Sequence, residues 1–145
     1  MPESPYAVVL GVAQDGGHPQ PGCRRPCCVG TNIGSHLTTC VAVVDGSEAW
    51  LLDAGPDLPG HLERLAGRGA QLSGVLLTHA HIGHYTGLMF LGHEAMGAAG
   101  MPVYAMPRMT GYLRTNGPWS QLVEYENIVL RPLQEGSPVK LGLVN

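Results

Sequence analysis

Three histidines within six positions are the residues of this chain best suited to chemistry. They are His79, His81 and His84, in the stretch THAHIGHYTG. The apolar run Val75 to Leu77 before them predicts a buried strand, so the histidines fall on the loop that leaves its carboxyl end, where open α/β sheets place their sites. Neutral imidazole is the commonest side-chain ligand for divalent transition metals. The cluster therefore predicts a metal site.

A metal-free role is the alternative for any histidine, because single histidines are mostly surface or hydrogen-bonded residues. That interpretation suits the four histidines that stand apart along the sequence, His18, His36, His61 and His93. It suits the cluster less well, since three uncompensated imidazoles close together would disfavour one another's protonation. Only the clustered histidines are therefore treated as candidate metal ligands.

The histidine stretch resembles the metal-binding signature of the metallo-β-lactamase superfamily, a strand ending in Thr-His-x-His-x-Asp-His and followed by a helix. This chain keeps all three histidines and has Gly83 at the position of the aspartate. The resemblance implies that His79 and His81 bind a first metal and that His84 helps to bind a second. Glycine has no side-chain ligand, so the resemblance supplies only part of the second metal site.

A weaker motif follows the predicted strand Ala49 to Leu52, where an aspartate, a small residue and a glycine come in succession. In the superfamily this aspartate supports the metal loop, so the resemblance implies a catalytic supporting role for Asp53 through hydrogen bonds to a ligand or to the loop backbone. By itself, Asp53 reads equally well as a turn residue before glycine. Asp57 is the predicted N-cap of the next helix.

A third candidate is the cysteine cluster Cys23, Cys27 and Cys28, in a long loop rich in glycine and proline. Clustered thiols in a protein without a leader are more often metal ligands than disulfides, and thiolates favour tetrahedral zinc. The loop resembles that of the pyrroloquinoline quinone biosynthesis protein B family and of the phosphodiesterase of the carbon-phosphorus lyase pathway, which implies a structural zinc. The cysteine spacing differs here and no late histidine is present, so a disulfide or free thiols remain alternatives. Cys40 is predicted to be a small core residue.

Strands and helices alternate in the remaining pattern, which indicates an α/β fold. Apolar and β-branched runs predict strands over Tyr6–Val12, Thr39–Val44, Ala49–Leu52, Val75–Leu77, Pro102–Ala105, Ile128–Leu133 and Val139–Val144. Apolar spacing and capping residues predict helices over Leu58–Arg68, Thr86–Ala99 and Pro107–Thr115, and Trp119–Val123 reads as an apolar turn.

The length of 145 residues suits one domain. The superfamily builds a four-layer αβ/βα sandwich from two halves, and no histidine follows His93 to supply the ligands of the second half. The resemblance therefore implies the N-terminal half of that sandwich, a single partial domain over residues 1–145. Half a sandwich leaves one sheet face uncovered, so we expect two copies to pair as a homodimer.

Composition limits the partners of the chain. Charged residues make up 13% of it, the formal net charge is −3 and no basic block is present, which argues against nucleic-acid or anionic-membrane binding and favours a small-molecule substrate. The first residues lack the basic region of a signal peptide, and no apolar run reaches membrane-spanning length. We therefore expect a cytoplasmic protein.

The resemblance leaves three functions open. The first is a metal-dependent hydrolase that uses zinc, or alternatively iron or manganese, to activate water against an ester, phosphoester or lactam bond. The second is a cofactor-biosynthesis protein like pyrroloquinoline quinone biosynthesis protein B. The third is a metal-binding domain without turnover, because Gly83 and the missing second half remove ligands. Substrate identity belongs to loops and to that second half.

Overall fold

Six strands form one sheet within residues 5–30 and 34–142, which the computed structural model describes. They are β1 (Tyr6–Gly11), β2 (Cys40–Asp45), β3 (Glu48–Leu52), β4 (Gln71–Leu76), β5 (Met101–Ala105) and β6 (Ile128–Pro132), and they lie in that order across the sheet. The first three are antiparallel neighbours, and β3 to β6 are parallel. The mixed α/β architecture predicted from the sequence is confirmed.

The carboxyl ends of β1 and of the parallel strands lie along one edge of the sheet. Because β1 and β3 both run antiparallel to β2, they run in the same direction as each other. The loop after β1, the turn after β3 and the loop after β4 therefore leave the sheet at the same edge. Residues from three separate stretches of sequence are brought together there.

Helices cover one face of the sheet. Over the described residues these are α1 (Leu58–Ala66), α2 (Ile82–Tyr85), a 3-10 helix (Thr86–Leu91), α3 (Pro107–Thr115) and α4 (Trp119–Glu124). Buried and half-buried residues alternate along β2, as expected when one face is fully covered. The core on that face joins strand and helix residues, Leu51, Val75, Val103, Leu58, Leu65, Leu88 and Leu113. None of the helices in the described residues is long and apolar enough to cross a bilayer.

Helix α1 forms because its apolar residues fall on one face, with Leu58, His61 and Leu65 all buried. Asp57 occupies the N-cap position as predicted, but its side chain makes no capping hydrogen bond. Its Oδ2 instead accepts the backbone N–H of Thr38 at 2.7 Å. The carboxylate therefore ties the start of α1 to the segment before β2.

The opposite face of the sheet carries Trp50. The indole lies across Gly74, where a Cβ would come within 2.8 Å of Trp50 Cδ1. A Cβ at Gly142 would lie 3.0 Å from Cη2 of the same indole. The segment after β6 therefore crosses this face and buries Trp50, which is 4% exposed.

The predicted helix over Thr86–Ala99 is wrong. A 3-10 helix covers Thr86–Leu91 and ends at Gly92, whose backbone is extended with a ψ of 175°. Turns follow, with Gly97 at a φ of 60°. Glycine reaches this left-handed conformation without steric cost and commonly ends helical segments. Glycines therefore interrupt the segment earlier than its apolar spacing predicted.

Two further predictions fail toward the C-terminus. The segment expected as an apolar turn is helix α4, in which Trp119 and Leu122, three positions apart, are both buried. The strand expected over Val139–Val144 is absent from residues 139–142, and its remaining residues lie outside the described range.

Candidate metal centre

The turn after β3 and the loop after β4 meet at the carboxyl edge of the sheet. Asp53 directly follows β3, while His79 and His84 follow β4. One potential ligand atom from each of these three residues lies within 4.8 Å of the other two. Asp53 is buried and His79 is exposed. His84 lies in the short helix α2, not on the loop as the sequence suggested.

Asp53 is held by its backbone and by three hydrogen bonds to its carboxylate. Its φ of 71° is in the left-handed region, which aspartate and asparagine tolerate better than most residues. Oδ1 accepts the backbone N–H of Thr78 at 2.8 Å. Oδ2 accepts the Thr78 hydroxyl and the Nδ1–H of His84, each at 2.7 Å. With both oxygens engaged, Asp53 is arranged to orient the histidine loop.

These hydrogen bonds set the proton positions on two imidazoles. A carboxylate only accepts hydrogen bonds, so His84 carries its proton on Nδ1 and leaves Nε2 free to bind. The Thr78 hydroxyl donates to Asp53, so at its 2.9 Å contact with Nδ1 of His79 it is the acceptor. His79 therefore also carries its proton on Nδ1. Asp53 thus fixes the tautomer of His84 directly and that of His79 through Thr78, so that Nε2 of each imidazole carries a lone pair.

His81 stands apart from this group. Its side chain is 72% exposed, and its ring centroid lies 4.5 Å from that of His79 but 6.4 Å from that of His84. The pairing implied by the superfamily, His79 with His81 on one metal, is therefore not the tightest grouping in the structure, which is His79 with His84 and Asp53.

Two glycines, Gly55 and Gly87, allow the β3 turn and the segment of α2 and the 3-10 helix to pack backbone against backbone. A Cβ at Gly55 would lie 2.0 Å from the carbonyl oxygen of Gly83, and one at Gly87 would lie 2.0 Å from that of Gly55. The backbone of Ala54 donates to the carbonyl of His84 and accepts from the N–H of Gly87, at 2.8 and 2.9 Å. Any larger residue at these glycines would separate Asp53 from the histidines.

Sequence reasoning missed one residue of the site, Asp15. It lies in the loop after β1, and its Oδ1 is 3.2 Å from Nε2 of His84, while Oδ2 is 3.9 Å from Nδ1 of His81. A polar cavity of about 480 Å³ opens beside Asp15 and both of these histidines. The available signal was a carboxylate in a glycine-rich loop after the first strand.

The donor set fits a divalent transition metal. Imidazole nitrogens and carboxylate oxygens both bind zinc at about 2.0–2.2 Å, and two such ligands of one tetrahedral ion lie roughly 3.4 Å apart. The 3.2 Å between His84 Nε2 and Asp15 Oδ1 is close to that spacing. Hydrogen-bonded imidazoles with a free nitrogen are the usual form of a metal-ligating histidine.

The cysteine cluster forms a second group with metal-binding chemistry. One Sγ each from Cys23, Cys27 and Cys28 lies within 4.8 Å of the others, and all four cysteines of the chain carry free thiols. The sulfurs of Cys27 and Cys28 are 3.7 Å apart. Two thiolates about 2.3 Å from one tetrahedral zinc would lie roughly 3.8 Å apart, so this geometry also fits zinc.

Cys40 takes no part in that group. It is fully buried, and its Sγ lies 3.4 Å from the backbone oxygen of Asp53. Burial, followed by the nearby charge of Asp53, raises the pKa of Cys40 to about 12. The thiol therefore stays protonated and unreactive at neutral pH, which agrees with its predicted place in the core.

An apolar cavity of about 400 Å³ lies on the other side of His79 and is also lined by Met106, Arg108 and Tyr112. The Tyr112 hydroxyl is 3.2 Å from that of Tyr85, and this hydrogen bond raises the pKa of Tyr85 to about 12. The hydrogen-bonded pair of Tyr85 and Tyr112 therefore supports one wall of a cavity that reaches the histidine loop.

Comparison with known proteins identifies the family. The chain matches the Beta-lactamase superfamily domain over residues 49–145. Coenzyme PQQ synthesis protein B from Cupriavidus taiwanensis is 36% identical over 110 residues, which is 67% of this chain and 35% of that protein. The protein of the same name from Klebsiella pneumoniae is 32% identical over 129 residues, covering 71% of this chain and 42% of that protein. The chain therefore spans less than half the length of these curated relatives.

Solved structures share the fold. Zinc-bound PqqB from Methylobacterium extorquens superposes with a TM-score of 0.73 at 24% identity, over 88% of this chain and 45% of that one. A diphosphatase from the PhnP family superposes with a TM-score of 0.70 at 21% identity, over 94% of this chain and 53% of that one. The predicted metallo-β-lactamase-like fold is confirmed, and the partial coverage agrees with half of it. The chain therefore belongs to the metallo-β-lactamase superfamily, and in sequence it is similar to coenzyme PQQ synthesis protein B.

Proposed function

We propose that this chain carries the metal-binding half of a metal-dependent hydrolase. The observation that carries the proposal is the hydrogen-bonded chain from buried Asp53 to two imidazoles, which leaves a free Nε2 on His79 and on His84. A surface histidine pair without a ligand has no need of such orientation. Zinc is the metal that we expect, with iron and manganese as alternatives.

The residues of the chain have separate tasks in this proposal. His79 and His84 bind the ion, and exposed His81 turns toward it as a further ligand. Asp53 holds the imidazoles in the binding tautomer and stays out of the reaction. A divalent ion held by these residues would supply a water with a pKa of about 7 and a Lewis acid for the substrate oxygen, the chemistry that cleavage of an ester, phosphoester or lactam bond needs.

A small molecule is the proposed substrate. The cavity beside His79 has about 400 Å³ and mostly apolar walls, which suits a compact ligand. Arg108 lines the same cavity and supplies a positive charge. We therefore expect an anionic group on the substrate, oriented by Arg108 while the bond to be cleaved faces the histidine loop.

A second candidate function is favoured by the sequence relatives, several of which are coenzyme PQQ synthesis protein B. In that case the same centre would serve a step in making a cofactor. The two candidates predict different results in a bacterium deleted for its own PQQ synthesis protein B. Restored PQQ production on expression of the chain, or of a longer protein that contains it, would support the second function.

The cysteine cluster is proposed to hold a structural zinc. Its support is the 3.7 Å sulfur separation and the free thiols of Cys23, Cys27 and Cys28. A zinc ion there would fix the long loop between β1 and β2, which reaches the histidine site through Asp15.

Hydrolysis assays test the first function. The chain, loaded in turn with zinc, manganese and iron, is assayed against phosphodiester, phosphomonoester, lactone and β-lactam substrates. The expected result is turnover of at least one class that His79→Ala abolishes and His93→Ala, a histidine outside the site, leaves unchanged. No turnover with any metal would contradict the proposal for this chain and leave a metal-binding domain without catalysis.

A further inference from the structure

The loop after β1 delivers a carboxylate to the histidine site. Asp15 Oδ1 lies 3.2 Å from Nε2 of His84, and Oδ2 lies 3.9 Å from Nδ1 of His81. Among the described residues, Asp15 is the only carboxylate that pairs with both histidines. Asp15 comes from a part of the sequence more than sixty residues away from them, so the contact depends on the fold and not on a local motif.

Gly83 makes room for Asp15. A Cβ at position 83 would lie 2.4 Å from the Cα, 2.6 Å from the Cβ and 2.9 Å from the Cγ of Asp15. Real Cβ atoms do not approach other carbons so closely, and the first of these contacts is with backbone. A side chain at position 83 and Asp15 in its observed place are therefore mutually exclusive. The glycine that removes a potential ligand from the histidine loop is what admits another carboxylate.

The contact between Asp15 Oδ1 and His84 Nε2 requires a proton or a metal ion between the two atoms. The Nδ1–H of His84 donates to Asp53, so in the neutral imidazole Nε2 bears a lone pair. That lone pair faces a carboxylate oxygen, which is also an acceptor. Two acceptors 3.2 Å apart repel each other unless a proton or a metal ion lies between them.

A metal ion accounts for more of the surroundings than a proton does. A proton on His84 would satisfy only the pair with Asp15. An ion at the same place would also use the neighbouring rings, since the centroid of His79 lies 4.1 Å from that of His84 and 4.5 Å from that of His81. The side chain of Asp15 is 39% exposed and lines the polar cavity, so an ion can enter from solvent.

We propose that Asp15 is a metal ligand, the carboxylate that completes the histidine centre together with His84 and His81. The ion is a divalent transition metal of the kind that imidazole and carboxylate share, zinc, iron or manganese. The proposal rests on the function proposed above, because it requires that the histidine loop bind metal. It adds a ligand from outside that loop and gives Gly83 a positive role.

Metal affinity tests the proposal without reference to activity. The changes are made in a background with Cys23, Cys27 and Cys28 replaced by serine, so that metal bound to thiols does not interfere. They are repeated with the cysteines intact, because zinc on the cluster would hold the loop that carries Asp15. Zinc affinity is measured by competition with a chromophoric chelator, and the absorption spectrum of bound cobalt reports the ligand set. Asp15→Asn is compared with Asp45→Asn, the same chemical change at the last residue of β2, which lies at the opposite edge of the sheet.

The expected result is at least about a 100-fold loss of zinc affinity and a changed cobalt spectrum in Asp15→Asn, since changes to groups that only support a ligand already cost about 10–100-fold. Asp45→Asn should match the parent. Equal affinity in the two variants would overturn the proposal and leave the proposed function standing. A loss that merely follows a lower melting temperature of metal-free Asp15→Asn would also overturn it. If the parent itself binds no metal, the proposed function fails as well.

Discussion

Replacing Asp53 by asparagine should disable metal binding while leaving the backbone in place. Asparagine tolerates the left-handed φ of 71° at this position and has nearly the size of aspartate, so the turn after β3 is not strained. If the amide oxygen accepts the N–H of Thr78, the amide nitrogen takes the place of Oδ2. It then donates to Nδ1 of His84, and the proton of that imidazole moves to Nε2. The Thr78 hydroxyl, now an acceptor from the amide, donates its hydrogen to Nδ1 of His79, so the proton of that imidazole also lies on Nε2.

The magnitude follows from the hydrogen bonds that change. Asp53 accepts three of them, at 2.7 to 2.8 Å. Hydrogen bonds to a charged group contribute about 1.5–3 kcal/mol and neutral ones about 0.5–1.5, so removal of the charge costs roughly 1 kcal/mol per bond and roughly 3 kcal/mol of unfolding free energy in all. For metal binding, two ligands acquire the wrong tautomer. We expect the upper end of the usual range for such changes, about 100-fold in affinity, which equals about 2.7 kcal/mol.

Asp57→Asn is the matched control, because Asp57 also accepts a backbone N–H, that of Thr38 at 2.7 Å, but lies outside the metal centre. Urea unfolding of the metal-free proteins gives the stability cost, and chelator competition gives the zinc affinity. Asp57→Asn should lose about 1 kcal/mol of stability and no affinity. If folded Asp53→Asn binds zinc as tightly as Asp57→Asn does, the argument from tautomers is refuted.

Three further predictions concern packing, pH and assembly. Gly83→Ala should destabilise the metal-free protein by about 1–3 kcal/mol in urea unfolding, because its Cβ meets the backbone of Asp15. Gly111→Ala, which has open space around it in α3, should be neutral or stabilising. Equal effects of the two changes would contradict the packing argument. Burial lowers the pKa of His61 from 6.5, so below pH 6.5 the unfolded chain binds a proton at His61 more readily than the folded chain does. The contribution of His61 to stability is therefore present above pH 6.5 and should be lost as the pH falls below it. His61→Gln should flatten this slope in urea unfolding at several pH values, and an unchanged slope would contradict the assignment. The half-buried second face of the sheet should pair two copies at micromolar concentration, giving twice 15.3 kDa in light scattering, and 15.3 kDa itself would contradict the homodimer.

Site residues that belong to a short local motif could be identified from the sequence. Site residues that only the strand topology brings close could not. The histidine cluster follows an apolar run, and Asp53 follows another, so their residue types and spacing sufficed to single them out. Their arrangement did not follow from spacing. His84 joins Asp53 because α2 packs against the β3 turn through glycines, whereas His81 lies beside Asp15.

Asp15 shows the limit most clearly. Its place in the site depends on β1 and β3 running in the same direction, with the antiparallel β2 between them. An apolar run in the sequence indicates a strand but not its direction or its neighbours. From the sequence, Gly83 is only a missing ligand. The structure shows why a glycine fits there, because a side chain at this position would collide with the backbone of Asp15.

The central claim is that the histidine loop, organised by Asp53, binds metal. The most direct measurement is metal content by inductively coupled plasma mass spectrometry on protein purified without added metal. Three forms are compared, the parent, the double variant His79→Ala with His84→Ala, and the triple variant with Cys23, Cys27 and Cys28 changed to serine. The histidine variant should lose about one equivalent of zinc, iron or manganese that the cysteine variant retains. Metal content unchanged in the histidine variant and abolished in the cysteine variant would contradict the account.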